Sequence, residues 1–171
     1  MQCWLQMGEW GLGTYGDFQK YLEDLSNQET GLDEPIQYTV LDGTKNNSDG
    51  EGLPMLFDGQ ATTKWGNGLD NRNEGETEKG AYFIIKVSRS MAPTYYALTT
   101  ANDTQQYPGR NWKQWQIYGM NAASNAAVTR NSDQWVAIDK KYNVGTDQLP
   151  AANYTQVFFN LSEDNETEYR Y

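Results

Sequence analysis

From Ile36 to the C-terminus the chain is a succession of short β-prone runs divided by clusters of Gly, Asn and Asp: IQYTV, AYFIIKV, TYYALTT, NWKQWQIYG, QWVAI and YTQVFFNL. Short runs rich in β-branched and aromatic residues fit pleated strands, and turn-forming clusters at this spacing fold the chain back on itself. The pattern predicts an all-β fold, an antiparallel β-sandwich. Residues 1–35 read differently. WLQMGEWGL, Trp4 to Leu12, alternates in part and predicts a strand. Tyr15, Phe18, Tyr21, Leu22 and Leu25 then recur at helical spacing, Thr14 or Asp17 can cap the start, and Gly31 and Pro35 end the run. This predicts one short amphipathic helix over Tyr15 to about Glu29. The chain thus divides into 1–35, a strand and helical linker, and 36–171, the sandwich.

A length of 171 residues suits a single domain. Hydrophobic residues make up only 37%, but 12 Tyr, 6 Trp and 5 Phe bury enough area per side chain to build a core. The net charge of −10 repels phosphate backbones and anionic headgroups, so neither nucleic acid nor a membrane is expected as a partner. No window approaches the roughly 18 consecutive apolar residues of a membrane span, and no basic stretch with an apolar signal core follows Met1. The chain reads as soluble and as a fragment of a longer protein.

Catalysis finds little support. With no histidine, the commonest general base and transition-metal ligand is missing, and Ser132 and the other serines lack the partner a triad needs. The single Cys3 forbids an internal disulfide and has no base beside it. Acidic pairs such as Glu163 and Asp164, and the alternating Glu74, Glu76 and Glu78, read as solvated loop rather than as a glycosidase pair. GLGTYG, Gly11 to Gly16, lacks the spacing and the strand–helix context of a nucleotide loop.

Three motifs in order carry a family resemblance. LPMLFDGQATTKW, Leu53 to Trp65, has an apolar pair, Asp58-Gly59, then Thr63 and Trp65. TANDTQQYPGRNWKQWQIYGMN, Thr100 to Asn121, has Asn102 and Asp103 before Pro108, Arg110 and Trp112, and a run ending in Gly119. DQWVAID, Asp133 to Asp139, has a Trp followed by an alternating strand. Together they resemble the discoidin or coagulation factor V/VIII type C domain, of the galactose-binding-like superfamily. They are similar in particular to carbohydrate-binding module family 32 domains of chitobiase-like glycosidases. The resemblance implies a jelly-roll sandwich that is secreted or displayed at the cell surface or in the periplasm. It implies no catalysis, only binding of a glycan or small sugar on behalf of a neighbouring catalytic domain or surface protein. A structural or protein-interaction module is the other reading.

The family continues with two more strands, the first around an aromatic-Arg-aromatic run, and YRY at Tyr169 to Tyr171 looks like its beginning. A sheet stopped there leaves an unpaired inner edge, which invites aggregation. LQMGEW, Leu5 to Trp10, resembles the family's last segment at the opposite end of the chain. Either this N-terminal strand fills the last strand's slot, in its own molecule or a neighbouring copy, or it is left over from a preceding domain.

The resemblance also implies a structural calcium ion on the Asp-Gly-x-x-x-Thr loop, held by Asp58 and Thr63, with Glu9 completing the cage if the N-terminal strand takes that slot. Carbonyls of Phe57, Gln60 and Met7 or Gly8 are further candidates, and a plain turn at Asp58-Gly59 is the alternative. Sugar binding needs an aromatic face with polar neighbours. The family places it on loops at one end of the sandwich, where the candidates are Trp65, Asn67, Tyr107, Arg110 and Asn131. Against these, Trp65 and Trp112 occupy positions that are usually core, and Arg110 suits a pairing with Asp103.

Overall fold

The structure, a computed structural model, describes residues 4–7, 9–13, 36–44, 49–68, 80–161 and 166–171. Nine strands lie among them: β1 (Trp4–Met7), β2 (Glu9–Gly13), β3 (Tyr38–Gly43), β4 (Trp65–Gly68), β5 (Phe83–Val87), β6 (Tyr95–Thr99), β7 (Trp115–Gly119), β8 (Val136–Lys141) and β9 (Gln156–Asn160). The helical elements among the described residues are 3-10 turns of three or four residues, such as Leu53–Leu56. The fold is therefore built from strands, and no described helix is long and apolar enough to cross a membrane. The helix expected over Tyr15 to Glu29 lies outside the described residues.

Every strand pairing is antiparallel. β1 pairs with β4, β3 with β5 and β7 with β8, while β6 lies between β2 and β9. The segment Trp4 to Leu12, read as one strand, is two strands with different partners. Leu5 stands opposite Asn67 and Met7 opposite Trp65, whereas Glu9 stands opposite Thr99. Both strands pair within their own chain, and β2 also lies against the Leu53–Leu56 turn.

Alternation along each strand sorts side chains between core and solvent. In β7, Trp115 and Ile117 turn inward while Gln116 and Tyr118 are exposed. In β9, Val157 and Phe159 turn inward, and Phe158 faces out against the edge of the Tyr95 ring. Side chains from all four sheets meet in one cluster, among them Trp65, Ile85, Tyr96, Leu98, Trp115 and Phe159. Its centre is aromatic. Tyr96 stacks on Phe159 at 5.2 Å between centroids, and Trp115 meets Phe159 edge-on at the same distance. Such pairs contribute about 0.5–1.5 kcal/mol each beyond the area they bury. The Tyr96 hydroxyl donates to Asp139 (2.7 Å) and accepts from Trp115 Nε1 (2.7 Å), so these two buried polar groups are satisfied.

The last residues are woven between two strands. Tyr169 and Met91 exchange backbone bonds of 2.9 and 3.1 Å, and Val87 donates to the Arg170 carbonyl at 3.0 Å. On the other side Met120 donates to Tyr171 (2.9 Å) and accepts from it (3.0 Å). Asn121 grips the same stretch, donating to the Glu168 carbonyl (2.7 Å) and accepting from the Arg170 amide (3.0 Å).

Candidate functional site

Three loops gather at one end of the strands. Phe57–Lys64 enters β4, Thr100–Gln114 runs from the end of β6 to the start of β7, and the residues from Gly145 to Thr155 lead into β9. Backbone and side-chain bonds lash them together. Thr100 and Thr155 bond through a backbone contact (2.9 Å) and through the Thr155 amide to Thr100 Oγ1 (2.8 Å). Asn111 Nδ2 donates to the Pro150 carbonyl (3.2 Å), Asn102 Nδ2 to the Thr62 carbonyl (3.4 Å), and the Gln105 amide to Asn153 Oδ1 (2.7 Å).

A charge chain crosses the first two loops. Lys64 Nζ lies 2.6 Å from Asp103 Oδ2 and 3.5 Å from Glu51, and Arg110 reaches the same Asp103 oxygen at 3.4 Å. The Lys64 side chain is only one-tenth exposed, and these carboxylates offset the cost of burying it. Arg110 also lies over the Tyr107 ring, 3.7 Å from the centroid, a cation–π contact that fixes the ring on the surface. Asn102 Oδ1 and Asp103 Oδ1 are buried acceptors without a donor among the described residues.

Tyr107 is 39% exposed and Tyr154 49%. The two tyrosines flank the bonded pair Gln105 and Asn153, so both rings stand on the same lashed loops. Tyr154 has φ 54°, a conformation costly for a bulky residue and met chiefly where surrounding structure enforces it. Its amide is tied to the Thr100 carbonyl at 3.2 Å.

The expected ligand residues separate. Tyr107 and Arg110 come together on this end. Trp65 is 2% exposed and lies edge-on to Trp112 at 6.2 Å, so its face serves the core rather than a solvent ligand. Asn67 is 1% exposed because β4 is covered along its length by pairing with β1. Asn131 is exposed but lies in the β7–β8 connection, beyond the opposite end of β7, and is not brought to Tyr107. Tyr154 and Asn153 belong with the site and were not anticipated. The signal was an Asn-Tyr pair in a loop, but nothing in the sequence announces a tyrosine with positive φ.

On the Asp58 loop, Asp58 Oδ1 accepts the Gln60 amide (2.8 Å), and Thr63 Oγ1 sits 2.9–3.0 Å from both carboxylate oxygens and 2.8 Å from the Gln60 carbonyl. Gly59 takes φ 72°, which closes the turn. The donor set of this turn is all hard oxygen, the kind calcium takes, with one hydroxyl hydrogen among four converging oxygens. No cluster of three or more His, Cys, Asp or Glu side chains suited to a metal occurs among the described residues. The Glu9 backbone is placed in β2, beside the Leu53–Leu56 turn that leads into this loop.

Comparison with family models, with curated proteins and with solved structures gave no match.

Proposed function

We propose that this chain is a non-catalytic carbohydrate-binding module of the discoidin type, a jelly-roll sandwich that brings an associated glycoside hydrolase or surface protein to glycans outside the cytoplasm. The observation that carries the reading is the pair of exposed rings, Tyr107 and Tyr154, on loops tied together by Gln105 and Asn153. An aromatic face beside fixed polar groups suits the apolar side of a pyranose and its hydroxyls. Arg110 holds Tyr107 in place, and Gln105, Asn153 and Arg110 supply polar neighbours. Ordering of that kind lowers the entropy lost on binding. A calcium ion held by Asp58 and Thr63, with Glu9 from β2, would pin the neighbouring loop to the sheets and take no part in chemistry.

Glycan-array binding followed by calorimetry tests the reading. Sugar binding lost in Tyr107→Ala and Tyr154→Ala, with unchanged unfolding midpoints, supports it. Uniform silence across the array with calcium present sinks it. That result would favour the second reading, a protein-interaction module.

A further inference from the structure

We propose that Lys64 and Asp103 condense in the folded chain into a side-chain amide, an internal cross-link between the loop that enters β4 and the loop that leaves β6. The proposal goes beyond sugar binding and does not depend on it. Lys64 Nζ lies 2.6 Å from Asp103 Oδ2, one C–O bond from the carbon it attacks. The amine is held there: its side chain is one-tenth exposed, and Asn102, beside Asp103, donates to the Thr62 carbonyl just before Lys64 at 3.4 Å. Groups fixed in this way react as if at concentrations on the order of 10⁵ M or more, which offsets the unfavourable balance of condensation in water.

The neighbours of the pair supply what the reaction needs. Glu51 Oε1 stands 3.5 Å from the same Nζ and is placed to carry a proton. Its other oxygen fills the space that a Cβ at position 66 would need, so Gly66 in β4 makes room for this carboxylate beside the amine. Arg110 donates to Asp103 Oδ2 at 3.4 Å, where it neutralises the charge that builds on that oxygen. Asp103 Oδ1 is buried and has no donor among the described residues, a costly state for a carboxylate oxygen in an ion pair. Condensation removes that oxygen.

One of the three Nζ protons passes to Glu51, and the electron pair it leaves forms the bond from Nζ to Asp103 Cγ. The bond from Cγ to Oδ1 then breaks, and Oδ1 leaves as water with a second Nζ proton and the proton that Glu51 returns. Ammonium and carboxylate become amide and water, and no oxidant or other reactant is consumed. The product joins positions 39 apart in a chain whose single Cys3 forms no internal disulfide.

The intact mass of the denatured protein tests the bond. It should be lower than that of the sequence by one water, trypsin should leave the chain uncut after Lys64, and tandem spectra should join the Lys64 and Asp103 peptides. Asp42-Gly43, Asp49-Gly50 and Asp58-Gly59 also lose water if they close to succinimides, but hydroxylamine cleaves a succinimide and spares an amide. Lys64→Arg, which keeps the cation, should have the mass of its sequence. Glu51→Gln, shown to be folded by circular dichroism, should form the cross-link at least about a hundredfold more slowly, followed from the end of synthesis. An unchanged mass with Lys64 cut by trypsin, as for an ion pair only, overturns the proposal. So does a missing water that survives Lys64→Arg or that hydroxylamine abolishes, and so does cross-linking of Glu51→Gln at the rate of the parent chain.

Discussion

The Tyr169 ring rests directly on Gly119, filling the space that a Cβ at position 119 would need. Glycine at the end of β7 is thus required by close approach rather than by its backbone angles. Gly119→Ala forces the ring and the backbone of Tyr169–Tyr171 to shift, at a cost of about 1–3 kcal/mol typical of overpacking. Urea unfolding should show that loss, and hydrogen exchange should show faster exchange at Met91 and Met120, whose amides bond this stretch.

Burial, and then the bond to Asp139, raise the ionisation of the Tyr96 hydroxyl well above the ordinary tyrosine range. In the unfolded chain the hydroxyl ionises near pH 10, while in the fold it stays protonated. Above pH 10 the folded state therefore binds more protons, and stability falls as pH rises. Tyr96→Phe removes this term, so its unfolding free energy should fall less steeply from pH 10 to 11.5. At neutral pH the variant should be about 1–3 kcal/mol less stable, because Asp139 and Trp115 Nε1 lose their partner.

Strain at Tyr154 separates stability from binding. Tyr154→Ala and Tyr154→Gly both delete the ring, but only glycine accepts φ 54° without penalty. The glycine variant should be more stable than the alanine variant by about 1 kcal/mol in thermal unfolding, and both should lose the proposed sugar binding.

Lys64 is the hinge of the charge chain. Lys64→Met leaves Glu51 and Asp103 without the cation between them, and should cost about 1–3 kcal/mol by chemical denaturation.

β3 and the strands from β5 onward were legible because their side chains alternate or carry dense β-branched and aromatic residues. AYFIIKV contains β5, TYYALTT contains β6, and YTQVFFNL contains β9. β4 was not legible as a strand: WGNG has no β-branched residue, and it is extended because β1 pairs with it from about sixty positions earlier in the chain. The same long-range cover buries Asn67, which local polarity had marked as a loop residue. Arg110 and Asp103 could be paired from their motif, and they are. Tyr107 was found because it flanks that motif, while Tyr154 was missed because its backbone angle is imposed by Thr100, which lies far from it in sequence.

The placement of β1 and β2 has a consequence for synthesis. Glu9–Gly13 pairs with Tyr95–Thr99, and Trp4–Met7 with Trp65–Gly68. On a ribosome these first strands emerge long before their partners exist, so they must wait, extended and unpaired, while much of the chain is made. Contacts so distant in sequence slow folding and lengthen the time that sticky edges are open. Trp4–Met7 and Glu9–Gly13 therefore need shielding while Trp65–Gly68 and Tyr95–Thr99 are made, and a chaperone that holds extended segments would act on them.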